Sequence, residues 1–207
     1  MQNLSIEQCY SLNDIDFSGC TSLETLRIVK CWYLDYLKFI GCTGMKSIAL
    51  EECVWLYDIN FSNCSSLETL WMKNVCNTIT LGNTGKLYLS GCSSLVSINR
   101  DAGDKKNYIP YISIFDFAGC KSLEHVNIYA ADASSLNFTD SPKLIYLDAR
   151  NNKLSAATID AMFATMHDRN VIDDGAIPGK YFLSGNSSGW DQYNKDAAMA
   201  KGWYTTE

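Results

Sequence analysis

The sequence predicts an α/β repeat protein: a β-solenoid with strands on two faces, coils of 22 residues, and helices confined to a C-terminal cap. Three observations carry this. Cys9, Cys20, Cys31, Cys42, Cys53 and Cys64 recur at every eleventh residue. Between them the apolar residues keep one spacing, as in Leu23, Leu26 and Ile28 before Cys31, or Leu34, Leu37 and Phe39 before Cys42. Past Asn152 the spacing changes to Ile159, Met162, Phe163 and Met166, which puts four apolar side chains on one side of a helix.

Written once, the unit is L-x-x-L-x-L-x-x-C-x-x, and two units make a coil. The alternating L-x-L core has strand period, so its two apolar side chains share a face. Strands before Cys9, Cys31, Cys53 and Cys76 form face B; those before Cys20, Cys42, Cys64, Cys92 and Cys120 form face A. After Cys64 the beat loosens. Cys76 comes one residue late, and Gly82-Asn83-Thr84-Gly85 reads as a turn ahead of Leu87 and Leu89. Leu95 and Ile98 continue face B, and residues 101–111 form the largest insertion. Ile112, Phe115 and Phe117 restore face A, and Leu123, Val126 and Ile128 face B. Leu136 and Phe138 then serve face A with Ser141 in the Cys position, and Leu144, Leu147 and Ala149 serve face B with Asn152 there. Ser155 is placed to cap a helix reaching about Asp168. A polar loop follows to Gly179, then a face-B strand at Tyr181-Phe182-Leu183. A last helix is expected from Asp191 to Lys201, with Trp203 packing back on the core. The solenoid thus spans 1–152, and 153–207 form a helix, strand, helix cap of the same domain.

This pattern resembles the leucine-rich repeat, whose strand segment reads L-x-x-L-x-L-x-x-N/C once per about 20 to 29 residues. Here the segment occurs twice per coil, which is similar to the short nested-period repeats of bacterial surface proteins, including internalin-like proteins with stacked cysteines. The resemblance runs from Met1 to about Asn152, and the ending resembles the C-terminal cap of such proteins. It implies a non-catalytic protein-binding domain, extracellular or at the cell surface, with no cofactor.

The nine cysteines are expected to be reduced core positions rather than disulfides. An odd number cannot all pair, and equivalent positions in neighbouring coils point in parallel. Buried free cysteine behaves as a small hydrophobe. A net charge of -6 argues against nucleic acid and anionic membrane surfaces. No apolar run approaches the ~20 residues needed to span a bilayer, and Met1-Gln2-Asn3 does not begin a signal peptide.

Chemistry is sparse. His125 and His167 lie far apart in sequence, and C-x-x-C zinc spacing and Gly-rich phosphate loops are absent. Asp101 with Asp104, and Asp173 with Asp174, read as polar turns before calcium ligands. Surface features are more informative. The turns from face A to face B are small and monotonous, such as Ser18-Gly19-Cys20-Thr21-Ser22. The turns from B to A are aromatic and receive the insertions, and insertions on one edge often mark a binding edge. The candidate binding residues are therefore Tyr10, Trp32, Tyr33, Trp55, Tyr108 and Tyr111, with Trp71 pointing outward on face B. The ligand is expected to be a protein; a glycan stacked on Trp32, Tyr33, Trp55 and Tyr108 is the second reading, and a structural spacer within a longer surface protein the third. Against all three stands a purely structural role, in which Trp32, Tyr33 and Trp55 stack over the corner and shield the core. Finally, Met1, Leu4 and Ile6 begin inside a strand with no polar unit before them. Uncovered strand edges pair readily, so the N-terminal coil is expected to self-associate or to meet an upstream segment.

Overall fold

The computed structural model describes residues 2–73, 75, 85–99, 112–170 and 178–206. It is a parallel β-solenoid of about 8 turns with 2 α-helices. In chain order the first strands are β1 (Asn3–Glu7), β2 (Asp14–Asp16), β3 (Thr25–Val29), β4 (Tyr36–Lys38), β5 (Ser47–Glu51), β6 (Asp58–Asn60) and β7 (Thr69–Lys73). Every element assigned up to Lys73 is a strand, as the repeat predicts. There follow β8 (Gly85–Tyr88), β9 (Ser97–Asn99), β10 (Ile112–Asp116), β11 (His125–Asn127), β12 (Ser135–Asn137) and β13 (Tyr146–Asp148). The cap adds α1 (Ala156–Thr165), β14 (Gly179–Phe182), α2 (Lys195–Ala200) and β15 (Trp203–Tyr204).

Face A is one sheet, β2-β4-β6-β8-β10-β12, and face B is two, β1-β3-β5-β7 and β9-β11-β13-β14-β15. All pairs are parallel, because each strand meets its copy one coil later. Leu4 pairs with Leu26, Leu26 with Ile48, and Ile48 with Leu70. On face A, Ile15 pairs with Leu37, Leu37 with Ile59, and Ile59 with Leu87, so extra residues before β8 leave the pairing intact.

The core fills the space between the faces. Leu26, Ile28, Leu37, Phe39, Ile48 and Leu50 are all buried, while the residues between them along each strand face outward. Phe17, Phe39 and Phe61 stack along one row at 5.7 and 6.0 Å. The row is uncovered at its start: Phe17 is 40% exposed and Phe39 is 0%. Leu4, Ile6, Leu12 and Cys20 are likewise half-buried in the first coil. Leu4, Phe17, Cys20 and Leu23 line a cavity of about 350 Å³ at this end.

Both edges turn by the same device. The residue before the Cys position has positive φ: Gly19, Gly41, Asn63, Gly91, Gly119 and Asp140 on one edge, Gln8, Lys30, Glu52, Ala130, Asn151 and Gly185 on the other. Its N–H still reaches the next coil, as Gly41 N to Ser62 O at 2.8 Å and Lys30 N to Glu51 O at 2.9 Å show. The chain can therefore reverse without losing its bonding to the next coil. A Cβ on Gly41 would meet nothing within 4 Å, so Gly41→Ala isolates backbone strain. We expect it to cost about 1 kcal/mol, read as a lower urea midpoint at unchanged slope.

The eight described cysteines are free thiols, and Cys31, Cys42, Cys53, Cys64, Cys92 and Cys120 are buried. On the Gly-rich edge each thiol donates to the last inward carbonyl of the preceding coil. Cys42 reaches Phe17 O at 3.2 Å, Cys64 reaches Phe39 O at 3.1 Å, and Cys120 reaches Leu89 O at 3.2 Å. Ser141 makes the same bond to Phe117 O at 2.7 Å. On the other edge Asn152 takes the position and donates to Ile128 O at 3.0 Å and Ala149 O at 2.9 Å. Asn186 repeats the role one coil later, donating to Ala149 O at 2.9 Å. Thiol titration of the folded protein should consume Cys9 and Cys20, the two described cysteines outside the buried set, well before the other six. Of the nine thiols, these six are expected to appear only on unfolding, with Cys76, outside the described residues, assigned to neither set; equal rates for the eight would contradict this burial.

Several boundaries differ from expectation. The Cys position after β7 belongs to Val75, which is fully buried; Cys76 lies outside the described residues, as do the Gly82 to Thr84 turn, the 101–111 insertion and Asp173 with Asp174. Helix α1 begins at its Ser155 cap, which accepts from Thr158 N, but ends at Thr165 rather than Asp168. Met166 leaves the helix as an extended, buried residue, and the Lys201 ammonium bonds the carbonyls of Phe163, Ala164 and Met166 at 2.9, 3.1 and 3.0 Å. The second helix starts at Lys195, capped by Asn194, not at Asp191. A 3-10 turn, Trp190–Gln192, precedes it, and Tyr193 is extended so that its ring can bury against Phe163 at 5.9 Å. The expected strand at Tyr181 to Leu183 runs from Gly179 to Phe182, and β15 adds a strand not foreseen. Trp203, fully buried, donates its indole N–H to His167 O at 3.1 Å. Helix α1 packs on β12, and Phe138 N donates to Thr165 Oγ1 at 3.1 Å, so the helix covers the last edge of face A.

Candidate binding edge

The loops from face B to face A follow β1, β3 and β5. Each begins at a buried or edge cysteine, and the next one or two residues stand outside the coil. Tyr10 and Trp32 therefore occupy equivalent places in successive coils, as do Tyr33 and Trp55. Their exposures are 43, 44, 52 and 37% respectively, and Trp71, outward at the middle of β7, is 44% exposed. Tyr10 lies 4.9 Å from Trp32 with the planes 48° apart, and Tyr33 lies 5.9 Å from Trp55 at 35°. The rings make two short rows along the edge. They touch within each row but neither lie in one plane nor bury one another. Tyr108 and Tyr111 lie outside the described residues.

The opposite edge has a different character. Its positive-φ places are mostly glycine, and its strands end in a local turn bond the repeat pattern did not reveal, one that β11 and β13 of face B share through Tyr129 N to Asn127 Oδ1 and Arg150 N to Asp148 Oδ1 at 3.2 Å. Ser18 N donates to Asp16 Oδ1, Ser62 N to Asn60 Oδ1, Ala118 N to Asp116 Oδ1 and Thr139 N to Asn137 Oδ1, at 3.0 to 3.2 Å. An Asp or Asn at the last strand position was the signal for it.

Charge around the aromatic edge is mixed. Glu7 pairs with Arg27, and Glu51 pairs with Lys73 at 3.3 Å. Asp35, two residues past Tyr33, is half-buried, and burial together with the nearby Asp14 raises its carboxyl above the ordinary range. Beside it, the hydrogen bond with Tyr36 raises the Tyr57 phenol, the two rings meeting edge-on at 5.0 Å.

A second aromatic cluster, not anticipated from the sequence, lies on the outer side of β11, β13 and β14. His125, Tyr146 and Phe182 follow one another at 6.0 and 5.7 Å. The Arg150 guanidinium sits over Tyr129 at 5.6 Å and Phe182 at 5.3 Å and is bound by Asp148 at 2.9 and 2.6 Å. His125 is thus part of a packed surface row, while His167 is exposed at the far side of the cap. Among the described residues no group of three or more His, Cys, Asp or Glu is placed to hold a metal ion. No described helix is long and apolar enough to cross a membrane. No protein-family model matches the sequence, and no curated protein matches it.

Proposed function

We propose that this chain is a leucine-rich-repeat solenoid of the short nested-period bacterial surface type, and that it binds a protein partner without catalysis. The repeat formula, the parallel pairing of successive coils and the Asn at the Cys position support the family. The carrying observation for function is the asymmetry of the two edges: exposed Tyr10, Trp32, Tyr33 and Trp55 gather on one, while serine and glycine fill the other. Aromatic side chains concentrate interface energy, and repetition supplies a rigid backing whose outward residues can vary. An extracellular or cell-surface location follows from the family reading. Exposure of the same rings supports a glycan as the second ligand class, whereas their inclination favours a protein over a flat sugar ring.

A protein and glycan array probed with the native chain and with Trp32→Ala/Trp55→Ala tests the binding reading. Protein hits that the double variant loses are expected. Glycan hits lost in the same way favour the second reading, and hits unchanged by the double substitution sink the edge as the site.

A further inference from the structure

Independently of the binding reading, we propose that Cys9 and Cys31 together form a two-coordinate site for a soft monovalent cation, Cu(I). The two edges use their thiols differently. On the Gly-rich edge Cys42, Cys64, Cys92 and Cys120 each donate to a carbonyl of the preceding coil at 3.1 to 3.2 Å. On the aromatic edge every thiol contact is longer. Cys9 Sγ lies 3.6 Å from Glu7 O. Cys31 Sγ lies 3.7 Å from Val29 O and 3.9 Å from Ile6 O, and Cys53 Sγ lies 3.6 Å from Glu51 O and 3.9 Å from Ile28 O. Such long bonds hold the thiol proton weakly, so exchanging it for a metal ion costs less on this edge than on the other.

The repeated contacts also set the spacing of the sulfurs. Cys9, Cys31 and Cys53 each face the carbonyl two residues earlier at 3.6 to 3.7 Å, which gives the three side chains one orientation. Those carbonyls belong to Glu7, Val29 and Glu51, which pair in register on neighbouring parallel strands. Like-oriented side chains in register repeat at the strand spacing, about 4.8 Å. A d10 ion such as zinc bonds thiolate sulfur at about 2.3 Å. A cation midway between two such sulfurs therefore bonds both in line, with little movement of either coil. Soft thiolates select Cu(I) among the first-row ions. Two of them in line satisfy it, so the site does not need the group of three or more ligands that the described residues lack.

Access singles out the first pair. Cys9 is exposed, whereas Cys31 behind it is 0% exposed. Between Cys31 and Cys53 no sulfur meets solvent, and burial pushes the Cys53 thiol up to about 12, so that interval keeps its protons. Binding is an exchange at the Cys9 and Cys31 sulfurs. Two S–H bonds are lost, two S–Cu bonds form, two protons pass to solvent, and the copper stays monovalent.

Anaerobic titration of the full, reduced chain against Cu(I) held by a chromogenic chelator tests this. One Cu(I) per chain should leave the chelator, and X-ray absorption of the product should show two sulfur neighbours. Cys9→Ser and Cys31→Val should each abolish the uptake. Valine suits the buried place, because Val75 already fills the equivalent position two coils later. Cys20→Ser, on the other edge, and Cys76→Ser should leave the uptake intact. Circular dichroism confirms that each variant is folded. Uptake that survives Cys31→Val would make Cys9 a lone thiol and overturn the proposal. Loss of uptake with Cys20→Ser or Cys76→Ser, oxygen or nitrogen neighbours, or no uptake at all would overturn it too. One Cu(I) per two chains, with a dimer in sedimentation, would place the ion between Cys9 thiols of separate molecules and would equally sink it.

Discussion

Between about pH 9 and about pH 11 the protein will lose most of its stability and unfold. Burial pushes the Cys53, Cys64 and Cys120 thiols up to about 12 and raises Cys92 as well. In the unfolded chain these thiols ionise near ~8.5. Because the folded values are the higher ones, the folded state holds its protons longer. The stabilisation is complete below the unfolded value and is lost as pH rises toward the folded one. Each thiol contributes a slope of about 1.4 kcal/mol per pH unit in that window. Three of them over two units amount to about 8 kcal/mol, comparable with the whole stability of a typical domain. Urea unfolding followed by circular dichroism at successive pH values measures this. Cys64→Ser is the control, since Ser141 already makes the same carbonyl bond with a hydroxyl; it should flatten the slope by one thiol's share. A stability that stays level across the window, or a slope the serine variant leaves unchanged, would refute the thiols as the cause.

Replacing Asn152 by alanine should cost about 3 kcal/mol. This side chain is 6% exposed and bonds five backbone groups. Its Oδ1 accepts from Ala131 N at 3.0 Å and Ala133 N at 2.8 Å, holding the previous coil's turn, while its amide donates to Ile128, Ala149 and Arg150 carbonyls. Truncation leaves the Ala133 N–H without a partner and the Ala131 N–H with only its 3.2 Å bond to Ile128 O, frees the carbonyls the amide held, and gives water little access to replace it. Asn152→Cys should fall between the two. A thiol can donate to Ile128 O as Cys64 does to Phe39 O, but it accepts poorly from the two N–H groups. Denaturant midpoints at unchanged slope give the comparison; an alanine variant as stable as the cysteine one would show that the accepting oxygen is unimportant.

Much of the fold was legible because a repeat states its core many times over. One coil's Leu34, Leu37 and Phe39 are read with little risk when four neighbours say the same. The Asn at position 152 was legible too, as a side chain able to bond turn backbone, although its five partners were not. The cap was harder, since it is built once. Helix α1 stops where Lys201, 35 residues beyond Met166, bonds its last carbonyls, and no local pattern encodes a cap that distant. Tyr193 interrupts the second helix because its ring has a buried partner in Phe163, again a tertiary cause. After β7, a cysteine drew attention one residue away from Val75, whose size and apolarity suit the buried place equally well. At the binding edge the period brought Tyr10 to Trp32 and Tyr33 to Trp55, but ring inclination depends on side-chain torsions that spacing does not carry. The His125, Tyr146, Phe182 and Arg150 row needed the parallel register of three strands to assemble it.

The constant register between successive coils also makes length a free variable. Leu26 looks back to Leu4 and forward to Ile48 across the same interval, so no residue senses how many coils lie beyond its neighbours. Excising residues 34–55 as a block would set Leu56 directly after Tyr33, in the place Leu34 now holds. Strands would still find partners in step, and the molecule would shorten by one layer of about 4.8 Å. Growth or loss of such blocks by unequal recombination changes the reach of the surface while every remaining side chain keeps its orientation, a kind of variation closed to folds whose strands each have a unique neighbour.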